Sequence, residues 1–396
     1  MILAWPAPDT AALRLCREAG AEFVVSRASA GQAPARENGL QLLAETSADG
    51  ASIERARASG YDGAAVTAAG TEAEFKRFIQ AQKGFVKLVY VKPDQLGWDV
   101  TPARAVLRGG MWPGLQQASL GEAGATERPW LNGNLHLYAY MRALHPSREA
   151  LLSFPADEKT ARYEGAEIAL AEAFAGGGNV VLALPEMYRT GLLKGDERAL
   201  SAWKRLAQVA AFLTQQSGVP RAGGGARLGI VAGKLDEQTE EVLNLAYRNN
   251  LSPEILPAGG AERISRFGQE GRMAVRIPET VLDPSEFARD LKEKVGLANP
   301  AGRGLNGLAL RVWNASTVLG ALHRTAGSRV VVLVSYGRWM DQDFLIGVRG
   351  DYSGGVMAQP DVAEQELDLM QRGGRVEVNL KGLKRVAVIT LKEKGK

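Results

Sequence analysis

At 396 residues the chain is roughly two to three times the usual domain length, so its 45% apolar residues must be shared among more than one core. With 23% charged residues, the composition is that of folded globular proteins and excludes a disordered, collagenous or long coiled-coil chain. Lys and Arg number 48 against 44 Asp and Glu, a formal charge of +4 that gives no basis for a nucleic-acid-binding face.

The rarest residues narrow the chemistry further. One cysteine, Cys16, excludes disulfide frameworks, Cys-based zinc sites and CxxC redox motifs together. His136, His145 and His323 are too widely spaced for a paired-histidine helix, so no metal and no organic cofactor is expected. No apolar run reaches the ~18 residues a membrane span needs. The opening Ile2-Leu3-Ala4-Trp5 reads as a strand rather than a charged leader before an apolar signal core. A cytoplasmic location and export after removal of a leader both stay open.

In chain order, short apolar runs predict strands at 2–5, 22–26, 40–44, 63–67, 86–91, 113–117, 149–154 and 179–184. Amphipathic stretches at 9–18, 51–58, 72–82, 131–144, 159–174 and 196–216 carry apolar residues at three-to-four spacing and predict helices between them. Residues 33–39 leave room for only a turn or two of helix between the second and third strands. Strand-then-helix units repeated eight times describe an α/β chain of the (β/α)8 TIM-barrel type over residues 1–220.

The run Gly223-Gly224-Gly225 marks a boundary, because three glycines continue neither a helix nor a strand cheaply. Beyond it, Leu228 to Ala232, a helix over 236–249 and Met273 to Ile277 form a small α/β module at 226–300. From 301 to 396 the period changes to two, with strands expected at 308–313, 329–336, 344–349, 365–370, 374–380 and 385–391. That is the signature of an antiparallel β-sandwich. Its clearest strand, Arg375-Val376-Glu377-Val378-Asn379-Leu380, should bury Val376, Val378 and Leu380 and leave Glu377 tolerant even of lysine.

Familiar ligand motifs are weak here. Gly302-Arg303-Gly304-Leu305-Asn306-Gly307 is a literal GxGxxG without a preceding strand, and Gly229 to Lys234 lacks the spacing and Ser/Thr of a phosphate loop. Asn314-Ala315-Ser316 matches a glycosylation acceptor, a common accident. The C-terminal mouth of the barrel is the more informative place, because strand-end residues converge there. Strand three ends in Glu45, strand five runs into Lys92 and Asp94 with Trp98 nearby, and strand eight runs into Glu186. A long loop after strand six carries Glu127, Trp130, Asn132 and Asn134, and Trp5 lies at the end of the first strand. Aromatic faces for pyranose rings, amides for hydroxyls and two carboxylates for protonation and oxocarbenium stabilisation are what a sugar pocket requires.

The order of elements resembles bacterial barrel glycoside hydrolases, including β-galactosidases that carry an α/β domain after the barrel. The resemblance rests on Trp112-Pro113-Gly114, on Ala125 to Trp130, on Ala171 to Gly177 and on Leu333-Val334-Ser335-Tyr336. It implies a carbohydrate substrate or ligand, paired carboxylates and a possible homo-oligomer. A β-galactosidase-type enzyme would hold its acid/base after strand four and its nucleophile after strand seven. Here strand four ends in Thr67-Ala68-Ala69-Gly70, and strand seven leads to Asp157-Glu158. Two expectations follow. In the first, Glu127 is the general acid of a hydrolase with Glu45 or Glu186 as its partner; in the second, the barrel has lost catalysis and binds glycans or serves as a scaffold. Carboxylates consumed in ion pairs would favour the second.

Overall fold

A computed structural model describes residues 1–27, 39–115, 131–155, 158, 161–218, 228–269, 272–297, 308–337 and 340–394. The glycine run at 223–225, the GxGxxG at 302–307 and most of the segment between the second and third strands lie outside the described residues. The chain divides into two compact units that alternate along it: residues 1–112, 146–173 and 178–211 form the first, and 113–145, 174–177 and 212–396 the second.

The first unit is built on a closed barrel of eight parallel strands. They are β1 (Ile2–Ala4), β2 (Phe23–Arg27), β3 (Gln41–Thr46), β4 (Gly63–Thr67), β5 (Val86–Val91), β6 (Arg104–Arg108), β7 (Leu151–Ser153) and β8 (Asn179–Ala183), with β1 hydrogen-bonded to both β2 and β8. Continuous apolar runs suit such strands because both faces are covered. Phe23 to Ser26, for instance, are all buried. Alternate residues, among them Ile2, Val25, Leu43, Ala65, Leu88, Val106, Leu151 and Val181, fill the interior.

The connecting helices start where short polar side chains can hold their first N–H groups. The Ala12 N–H donates to Asp9 at the start of α1 (Thr10–Glu18), and the Ser52 N–H donates to Asp49 at the start of α2 (Gly50–Ala58). Thr71 and Glu74 form a capping box on α3 (Glu72–Ala81). On α1, Cys16 is fully buried, and burial pushes its thiol up to about 12. A thiol-reactive dye at pH 8 is therefore expected to leave the native protein unlabelled and to label it quickly in denaturant; rapid native labelling would show that α1 does not pack as described.

Two elements depart from the sequence reading. The sixth barrel strand is Arg104–Arg108, whereas the segment expected to supply it contributes only Gly114–Leu115, in a two-strand antiparallel ribbon with Leu131–Asn132. Only three apolar residues lie between two arginines in the true strand. The arginines are accommodated because a barrel strand's ends face solvent while its centre is enclosed. In addition, residues after β8, where no helix is expected, form a nine-residue helix, α6 (Glu186–Lys194). Pro185 stands at its N-cap, and Gly195 ends it in the left-handed region at φ 77°.

The second unit holds α4 (Leu135–Leu144), which packs against α8 (Glu237–Arg248) and β10 (Glu254–Pro257). With β9 (Leu228–Ala232) and β11 (Met273–Arg276), β10 makes a three-stranded parallel sheet in the order β10-β9-β11. Helix α10 (Pro284–Leu297) packs on α8. Two antiparallel sheets complete the unit. One has four strands, β12 (Leu310–Trp313), β15 (Met340–Arg349), β19 (Arg375–Leu383) and β18 (Met370–Arg372), in that spatial order. The other runs β13 (Val318–Thr325), β14 (Ser328–Ser335), β20 (Val386–Glu393), β16 (Tyr352–Gln359) and β17 (Val362–Glu366).

Strands β13 and β16 were not expected, because Gly320, Gly354 and Gly355 interrupt their alternation. A Cβ at Gly320 would stand 2.3 Å from Leu310 Cδ2, so the close approach there needs a glycine. In β19, Val376, Val378 and Leu380 are buried in one cluster, as their spacing predicts. Glu377 is not the free surface residue expected: its side chain is 17% exposed and 3.7 Å from Arg372. Among the described residues, no helix is long and apolar enough to cross a membrane.

Candidate functional site

Period-two alternation continues the interior rows of β2, β3, β4, β6 and β7 to Arg27, Glu45, Thr67, Arg108 and Ser153 at the C-terminal mouth of the barrel. An ion pair spans this layer. Arg108 donates through Nη2 to Glu45 Oε1 at 2.5 Å, linking β6 to β3, while its Nη1 lies 3.4 Å from Thr67 Oγ1 on β4. The guanidinium is centred 4.0 Å over the ring of Tyr90 on the intervening strand β5. One arginine thus engages three neighbouring strands besides its own.

Burial pushes the Tyr90 hydroxyl above the ordinary tyrosine range, and the negative charge of Glu45 adds to the effect. Tyr90 therefore remains a neutral hydrogen-bonding phenol. The Glu45 and Arg108 side chains are 35% and 45% exposed, and pairs so accessible contribute only about 0.2–1 kcal/mol to stability. Their importance is the fixed, polar, charge-balanced floor they give the mouth. In the described barrel strands, Glu45 is the only carboxylate at a C-terminal end.

The other sequence candidates fall in several places. Glu186 begins α6, where its backbone N–H donates to both carboxylate oxygens of Glu158 at 2.8 and 2.9 Å. Both glutamates line an open groove with Tyr163, Thr190 and Lys194, and Tyr163 stacks on Tyr188 at 4.5 Å. Lys92 and Asp94 are exposed in a single 3-10 turn, where the Lys92 N–H donates to Gln95. Trp98 is partly buried against Phe75 at 6.1 Å, and Trp5 is in the core at 2% exposure. Asn132 is part of the ribbon, and Asn134 is fully buried at the start of α4, both in the second unit. Glu127 and Trp130 lie outside the described residues.

Sequence reasoning missed Arg108, Tyr90 and Thr67. Arg108 is two residues beyond the buried Val106, a signal that becomes readable once Arg104–Arg108 is recognised as a strand. Glu158 is readable as a carboxylate after strand seven, but its contact with Glu186 is not, because the partner N–H lies 28 residues away.

No protein-family model matches the sequence, and no curated protein matches it. Solved structures do. α-L-Fucosidase isoenzyme 2 from Paenibacillus thiaminolyticus aligns with a TM-score of 0.52 at 8% identity, over 97% of this chain and 96% of that one. A cycloisomaltooligosaccharide glucanotransferase from Paenibacillus sp. aligns with a TM-score of 0.50 at 8% identity, over 98% of this chain and 84% of the other. The likeness at such identity is one of fold. At that level, the parallel-barrel architecture read from the sequence holds.

Proposed function

We propose that the protein binds saccharide at the barrel mouth and that Glu45, tied to Arg108, holds sugar hydroxyls rather than acting as a nucleophile or general acid. The ion pair carries this reading: it occupies the carboxylate at the β3 end, while the β4 end presents Thr67. A carboxylate and a guanidinium fixed side by side offer acceptor and donors to adjacent hydroxyls, and Tyr90 supplies a third polar atom below them. The saccharide class comes from the two similar structures, whose names are those of enzymes acting on sugars.

Hydrolysis is the second reading. Glu45 sits at a strand end, where barrel enzymes place catalytic groups, and Arg108 fixes the position of its carboxylate as a partner to an acid such as Glu127.

Binding and hydrolysis screens on a panel of neutral and acidic oligosaccharides separate the two. Wild type is expected to bind a neutral member without turning it over, and Glu45→Gln to weaken that binding at least ~10-fold, as loss of a charged hydrogen bond predicts. Turnover that disappears in Glu127→Gln would establish the hydrolase instead. If no saccharide binds, both readings fail.

A further inference from the structure

A second cavity, of 470 Å³, lies wholly within the second unit, between the ends of α8 and α10 and the strand β12 with the turn after it. Its size is within the ~300–1,000 Å³ typical of small-molecule sites. Three cationic side chains from three elements line it: Arg248 at the end of α8, Lys292 on α10 and Arg311 on β12. No acidic side chain is among its described lining residues. Asn314 and Ser316 add an amide and a hydroxyl, and Asn314 adopts the left-handed conformation at φ 60°, which turns the chain around the cavity's edge.

Arg311 is held in place. Its guanidinium lies 4.3 Å over the Trp313 ring, and the Arg375 guanidinium lies 6.0 Å from the same ring. Arg375 is itself nearly buried and donates to the Leu308 carbonyl at 3.0 Å. Burial lowers the pKa of Arg311 and Arg248, with Glu377 and Glu241 respectively opposing the shift.

We infer that this cavity binds the carboxylate or sulfate group of an acidic saccharide, at a site separate from the barrel mouth. The guanidinium of Arg311 and the ammonium of Lys292 would take the oxyanion, while Asn314 and Ser316 would meet ring hydroxyls. A nucleotide fits less well, since a base needs an open aromatic face. Arg311 lies over the Trp313 ring, and a Cβ at Gly347 would stand only 2.8 Å from the indole, so the ring is already in close contact with an arginine and with β15.

Calorimetric titration of the full chain with a uronic-acid oligosaccharide, a sulfated disaccharide, their neutral counterparts and inorganic sulfate tests the assignment. At least one acidic saccharide should bind, at least ~10-fold more tightly than its neutral counterpart or sulfate alone. That binding should weaken as salt rises. Arg311→Gln and Lys292→Gln should each reduce it ~10-fold or more, with thermal melts confirming folding. Glu45→Gln should leave it unchanged, which separates this site from the mouth. Sulfate binding as tightly as the saccharide would overturn the sugar component. No acidic ligand binding, unchanged affinity in Lys292→Gln or equal loss in Glu45→Gln would overturn the site.

Discussion

Replacing Val378 with aspartate is expected to destabilise the protein by at least ~3 kcal/mol, because the new carboxylate would enter an apolar core without a partner. Val378 is fully buried and directly opposite Ile346 in the β15–β19 ladder, among residues from both antiparallel sheets. Protonation of the new group would recover part of the loss below neutral pH, so the deficit should shrink as pH falls. Asn379→Ser, one residue along and facing solvent, should remain within ~0.5 kcal/mol of wild type. Urea unfolding of both variants gives the comparison; similar losses at 378 and 379 would show the face assignment of β19 to be wrong.

Gly165→Val is expected to have the next largest effect. Helix α5 (Glu164–Gly176) runs so close to Trp112 that a Cβ at Gly165 would lie 2.0 Å from its Nε1. The indole is buried, packed edge-on against Phe154 at 6.1 Å, and donates its N–H to the Arg162 carbonyl at 3.0 Å. Displacing it combines overpacking of ~1–3 kcal/mol with an orphaned hydrogen bond of comparable cost. In a Trp112→Ala background the same change should be nearly neutral. Equal penalties in both backgrounds would show that the clash is not with Trp112.

The barrel was legible because its parallel strands are continuous apolar runs, and VVLA or VKLVYV need no partner to be recognised. Arg104–Arg108 was hidden by its terminal charges: the arginine at position 108 belongs to the mouth rather than to the enclosed part of the strand. Glu45 was readable as a strand-end carboxylate. Its arginine was not, because the pairing joins residues 63 apart and depends on the closure of the barrel. In the C-terminal sheets, Val376, Val378 and Leu380 announced their common face, whereas the glycines of β13 and β16 concealed strands that exist through tertiary contact. The α6 helix was obscured by Pro185 at its start and Gly191 within it.

The alternation of the two units along the chain has a consequence for biosynthesis. Helix α4 leaves the ribosome well before α8 and β10, the elements it packs against. Roughly 110 residues of further synthesis separate the end of α4 from the start of β10, or about 5–20 s at ordinary elongation rates. During that interval Leu137, Tyr138 and Met141, all buried in the finished protein, have no completed surface to meet within their own unit. The nascent chain therefore offers an apolar helix for seconds at a time, the kind of segment that chaperones retain until the rest of the polypeptide arrives.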